Sequence, residues 1–201
     1  MMPLATLFDA PDAELVSIGT LHVPTGRIAA CDPFACASTA AFARTVPKGD
    51  HAVKLHRVVL GDAGMRTASA RLIFEPDQAV VTVVEAELDG GGVAPYFVDA
   101  GLGAFVDDAA RVAFADVLDA FYRINPNGNY YTDVLAAEFK QQAASPSDPD
   151  DIGDWTMHRI GDASLNIAMF SSGMGDGAYT SYWGLNGDGD VVALLTEFVV
   201  R

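Results

Sequence analysis

The stretch that decides the fold is NIAMFSSGMGDGAYTSYWGLNGDGDVVALLTEFVV, residues 166–200. It opens on an apolar run, Asn166 to Phe170, and passes into a glycine-dense segment at 171–177. It continues through AYTSYWG with Tyr179, Ser181 and Trp183 on one side of an alternating pattern. After the turn chemistry of NGDGD it ends in a second apolar run, Val191 to Val200. Period-two alternation and short apolar runs bounded by Gly and Asp are strand signals. The order expected is strand, glycine loop, aromatic strand, turn, strand. A phosphate-cradling glycine loop is excluded, because such a loop feeds the N-terminus of a helix and here a strand follows. A nucleophile elbow is excluded as well, since Met169 and Phe170 precede Ser171 where that turn needs a glycine. NGDGD lacks the spacing and the closing glutamate of a calcium loop and reads as a hairpin turn.

Working back along the chain, AVVTVVEAEL at 79–88 is rich in β-branched valine and TASARLIFE at 67–75 alternates cleanly, with Ala68, Ala70, Leu72 and Phe74 set against Thr67, Ser69, Arg71 and Glu75. Both are strand patterns. HAVKLHRVVL, from His51, alternates Val53, Leu55 and Val59 with Lys54, His56 and Val58. ELVSIGTLHVPTGRIAACD gives two further β-type runs joined at Pro24-Thr25-Gly26, a hairpin or a sharp corner, and the second run stops at Asp32-Pro33. His22, just before the corner, reads as an ordinary strand residue.

Only the middle of the chain has helical periodicity. Ala110, Phe114, Val117, Leu118 and Phe121 share one face, with Asp107 placed to cap the N-terminus and Asp108 to complement the dipole. INPNGN at 124–129 ends this helix, and YYTDVLAAEFKQQAA offers a second with Val134, Leu135 and Phe139 inward. ASPSDPDDIGD at 144–154 has no apolar face and reads as a solvated loop. The fold class expected is α+β: a β-rich, largely antiparallel sheet system with two central helices packed on one side, as a single domain over residues 1–201.

Half of the residues are apolar and 19% are charged, the profile of a chain that folds. Lys and Arg number 12 against 27 Asp and Glu, a net charge of −15. That balance argues against nucleic acid and anionic lipid, favours a basic protein as partner, and otherwise serves solubility. No apolar run approaches the length of a membrane helix, and MMPLATLFDAPDAELV has no basic leader, so the cytoplasm is the expected location. Cys31 and Cys36 are too close and too few for a secreted disulfide framework and are expected as buried free thiols.

Acids beside glycines and strand ends, Asp32, Asp99, Asp107 and Asp176, are the chemistry-bearing set. Gathered together, Asp99 and Asp176 with Arg44 or His22 could act as an acid/base pair or hold a divalent cation. Separately, each would satisfy backbone amides in its own turn. No cofactor fingerprint is present beyond this option. Asp32, Arg44, Gly173, Asp176, Tyr179 and Trp183 are the candidate ligand-binding residues, and Tyr179, Tyr182 and Trp183 serve equally as pocket wall or core.

LHVPTGRIAACDPF, FARTVPKGDHAVKL, YFVDAGLGAFVD and SSGMGDGAYTSYWG followed by GDVVALLTEF, in that order, resemble the bacterial proteins grouped as domain of unknown function 4241. The matching positions are Gly26, Asp32, Pro33, Pro47, Gly49, Asp99, Gly101, Gly173, Asp176, Gly177, Tyr179 and Trp183. A tryptophan often stands in that family where this chain has Met174. The resemblance implies one compact domain, commonly a stand-alone bacterial protein, and no particular activity. Two functions are therefore expected: a binding or accessory protein, of the immunity type, with an acidic interaction surface; or a small-molecule-binding or hydrolase-like enzyme built on Asp99 and Asp176, with a divalent metal as an option.

Overall fold

The computed structural model describes residues 2–3, 13–93, 95–161 and 164–198. Val199 and Val200, the end of the last apolar run, lie outside these, as does most of the N-terminal segment. The architecture is α+β in three layers: a large antiparallel sheet, a smaller antiparallel sheet, and two helices.

The large sheet takes β1 (Met2–Pro3), β2 (Glu14–Val23), β4 (Gly49–Val59), β5 (Met65–Ile73), β6 (Thr82–Glu85), β12 (Ser181–Leu185) and β13 (Val191–Glu197), in the order β1-β6-β12-β13-β5-β4-β2. The small sheet takes β3 (Ile28–Cys31), β8 (Leu102–Asp107), β9 (Trp155–Arg159) and β10 (Asn166–Ser171), in the order β3-β8-β10-β9. A short ribbon pairs β7 (Tyr96–Val98) with β11 (Gly177–Tyr179). The corner at Pro24-Thr25-Gly26 carries the chain from one sheet to the other, so it is not a hairpin. Gly26 turns there with φ +77°, and a Cβ would come within 2.7 Å of the Val46 carbonyl oxygen.

The small sheet is covered on both faces. Ile28, Ala30, Phe105, Ala168 and Phe170 point to the large sheet, where they meet Leu21, Val53, Leu55, Ala70 and Leu72. Their neighbours Ala29, Cys31, Ala104, Val106, Ile167 and Met169 point to the helices. A strand buried on both sides has no polar face to show, which is why IAAC and NIAMF read as continuous apolar runs. Gly103 lies within this packing: a Cβ would come to 2.9 Å from the Tyr96 hydroxyl and 3.0 Å from Phe170.

Helix α1 (Asp108–Ile124) starts directly from β8. Asp107 caps it as the sequence indicates, one oxygen accepting from the Ala109 amide at 2.9 Å. The other oxygen accepts from the Thr25 amide and hydroxyl, at 3.0 and 2.7 Å, and so ties the helix start to the sheet-to-sheet corner. Phe114 is buried against the small sheet. The second helical segment opens as a π turn, Tyr131–Leu135, and continues as α2 (Ala136–Gln141). Buried His158 on β9 holds it, with Nδ1 3.0 Å from Glu138 and Nε2 3.1 Å from the Tyr130 hydroxyl.

One of the breaks in strand register borders the site described below. Between the His56–Ser69 and Arg57–Thr67 pairs β5 carries one extra residue, Ala68, which shifts the β4–β5 register and sets Thr67 opposite Arg57; Val59, at the end of β4, stands 70% exposed. Thr67 and Ser69, set against Ala68 and Ala70 by the alternation, are both buried. One extra residue in one strand reverses the side to which the following residues point.

Candidate functional site

The glycine segment lies where β10 ends and the β7–β11 ribbon begins. Here the structure brings together Asp32, Asp99 and Asp176. Buried Asp32 accepts from the Phe34 amide at 2.9 Å through one oxygen, and from the Asp99 and Ala100 amides at 3.0 Å each through the other. Asp176 accepts from the next amide, Gly101, at 3.1 Å. The 99–101 turn thus has three successive N–H groups held by two carboxylates. Burying a carboxylate is costly unless hydrogen bonds replace its water, and for Asp32 three backbone donors do so. The Asp99 side chain is exposed and holds neither of the other acids.

Gly173 turns the chain out of β10 with φ +61°. The Gly101 carbonyl accepts from the Ser172 amide at 3.0 Å, which fastens this loop to the held turn. The Tyr179 hydroxyl lies 2.7 Å from the Gly175 carbonyl oxygen and 3.0 Å from that of Ser172, closing the loop from beneath. Its ring packs edge-on to Phe198 at 4.9 Å. Burial raises the Tyr179 pKa, the Ser172 contact lowers it in part, and the Asp176 charge adds to the rise.

Arg44 and Trp183 stand apart from this cluster. They line a separate cleft of about 480 Å³ with Glu85 and Glu87. Trp183 is itself a core residue, edge-on to Phe42 at 5.5 Å. His22 pairs with Asp50 at 2.7 Å, likewise away from the acids. Among the described residues no three His, Cys, Asp or Glu side chains gather as a metal would need.

Residues 21–196 match the family described as Protein of unknown function (DUF4241). The chain belongs to this family. The DUF4241 match begins near the end of β2 and ends in β13, so it takes in the small sheet, the helices, most of the large sheet and the whole of the Asp32–Asp176 cluster. No curated protein and no solved structure matches the chain.

Two features of this DUF4241 chain escaped the sequence. Cys31 and Cys36 are not free thiols but a disulfide, with Cα atoms 5.3 Å apart. The turn at Asp32-Pro33, closed by the Ala35 amide on the Asp32 carbonyl at 3.0 Å, folds the short loop back far enough for the bond. The second is a cleft of about 540 Å³ at the open end of the two sheets, between the 173–175 loop and the acidic loop 150–154. Arg57 lies in it, paired with Asp154 and set over the Trp155 ring at 5.4 Å. These partners are far apart in the chain; Arg57 itself follows Val53 and Leu55 on the inward side of β4 by simple alternation.

Proposed function

We propose that this protein works by binding, as an accessory protein of the immunity type that receives a basic protein partner on an acidic face, in the bacterial cytoplasm. The observation that carries the reading is the state of its carboxylates. Those that an acid/base site would need are engaged with backbone: Asp32 fully and Asp176 through the Gly101 amide. In contrast, Glu75, Asp77, Glu85, Glu87, Asp116, Asp119 and Asp188 are exposed and form no ion pair among the described residues. Unpaired surface acids on a chain of net charge −15 repel one another, and a basic partner relieves that repulsion on association.

The hydrolase-like alternative needs Asp99 and Asp176 facing a common reactant. Asp176 is instead a strut of the turn that carries Asp99, so freeing it for chemistry would cost the Gly101 amide its acceptor.

Capture from lysate with the immobilised protein, at about 50 and about 300 mM salt, tests the binding reading. The expected result is a basic protein retained at the lower salt and lost at the higher. An acidic partner, or capture indifferent to salt, contradicts it.

A further inference from the structure

Buried beside the cleft at the open end of the two sheets are hydrogen-bond donors with nothing to bond. Thr67 is 1% exposed and its hydroxyl has no partner among the described residues. Directly across the ladder, Arg57 has a side chain only 11% exposed. Its terminal nitrogens meet Asp154 and, at 3.8 Å, Glu14, but its Nε has no partner. Arg66, next along β5, spends one nitrogen on the Met65 carbonyl at 2.8 Å, and the Ser171 hydroxyl has only a long 3.4 Å contact to Asp154. All four residues line the same cleft. A buried polar group without a partner is a standing cost to the fold, and bulges such as the one beside Arg57 recur where a side chain is re-aimed toward a site.

The 150–154 loop brings the other sign: Asp154 is already on Arg57, and Asp151 accepts from the Ser145 and Gly153 amides. Asp150 is exposed there, its amide bonded to Asp148 at 3.0 Å and its carboxylate without a partner among the described residues. The lining therefore combines the donors and the positive charge of Arg66 with a free carboxylate, that of Asp150. The cleft, at about 540 Å³, has the size of a small-molecule site.

From this arrangement we infer that the cleft is a binding site for a zwitterionic amino acid, its carboxylate on the Arg57–Arg66–Thr67 wall and its ammonium on Asp150. The donor wall alone would suit any oxyanion. The field of a chain at −15 weighs against phosphates and other anions that arrive with net charge, whereas a neutral zwitterion meets no such repulsion and uses both the donors and the free carboxylate. The site is separate from the partner-binding reading, because it is measured on the pure chain with no partner present.

Calorimetric titration with each of the common L-amino acids, and with acetate, methylammonium and inorganic phosphate as part-ligands, tests it. At least one amino acid is expected to bind saturably, with the part-ligands weaker by about tenfold or more. Thr67→Val keeps the shape, removes the orphan hydroxyl and should fold at least as stably, yet lose about tenfold in amino-acid affinity; Arg66→Gln and Asp150→Asn should each weaken it similarly. The inference is overturned if no amino acid binds up to about 10 mM, if acetate or phosphate binds as tightly as the best amino acid, or if Thr67→Val folds and binds unchanged, which would leave the hydroxyl to a buried water.

Discussion

Asp32 and Asp176 hold successive backbone amides of one turn: Asp32 takes those of Asp99 and Ala100, and Asp176 that of Gly101. Asp32 sits just past β3 in the small sheet and Asp176 in the glycine loop before β11, so the pair ties the two ends of the candidate site to a common strut.

The two acids differ in burial, and so in what their loss should cost. Asp32→Ala leaves three N–H groups without an acceptor and should destabilise the fold by about 2–4 kcal/mol, read by urea unfolding. Asp176→Asn keeps an oxygen toward Gly101 at an exposed position and should cost about 0.5 kcal/mol. Equal losses would show that burial does not separate them.

The Cys31–Cys36 bond closes a very short loop, so its removal reduces stability modestly. Cys31→Ser with Cys36→Ser, or a thiol reductant, should lower unfolding stability by about 2 kcal/mol. Mass spectrometry of the untreated chain should show both sulfurs oxidised; a chain with two alkylatable thiols before reduction would contradict the disulfide.

Gly103 gives the Tyr96 ring its space. Gly103→Ala pushes a methyl onto that hydroxyl and onto Phe170 and Phe198, all within 3.1 Å of the added carbon, and should cost about 1–3 kcal/mol. Gly187→Ala, which meets nothing within 4 Å, should change stability by less than about 0.5 kcal/mol. Thermal unfolding of the two variants side by side makes the comparison.

The buried tyrosines make the fold sensitive to alkali. Burial raises the pKa of Tyr96 far above the usual phenol range, with Thr196 lowering it in part and Tyr179 and Asp32 adding to the rise. Burial is also the main cause of the rise at Tyr130, Tyr179 and Tyr182. Above about pH 10 the unfolded chain loses these protons while the folded chain keeps them, so the folded state binds more protons. Stability is then complete below about pH 10 and falls as pH rises beyond it. Tyrosinate absorbance followed with circular dichroism should show these residues ionising together with unfolding; ionisation within an intact fold would contradict the burial.

The sequence reading reached most of the frame because its strongest signals are local. The alternation of Ala70, Leu72 and Phe74, the face of Ala110 and Phe114, and the Asp107 cap are each written within a few residues, and each holds in the structure. What it missed depends on distant or small-scale geometry. The extra residue in β5 that sets Thr67 opposite Arg57 leaves no mark in composition, and the Arg57 partner Asp154 lies in a loop that reads only as solvated. The disulfide needs the tight turn after Asp32 before two nearby cysteines can meet. The convergence of Asp32, Asp99 and Asp176 required the order of strands in the small sheet, which local patterns do not contain.

The claim at the centre of this account is that Asp176 is a strut and that function lies in binding through exposed acids. The direct measurement is the affinity of the captured partner for wild type, Asp176→Asn and Asp116→Asn/Asp119→Asn/Asp188→Asn, each titrated at low and moderate salt. Asp176→Asn is predicted to bind as wild type does, the triple variant to bind about tenfold more weakly at low salt, and that difference to shrink as salt rises. A folded Asp176→Asn that loses function, with the triple variant unaffected, would contradict the account.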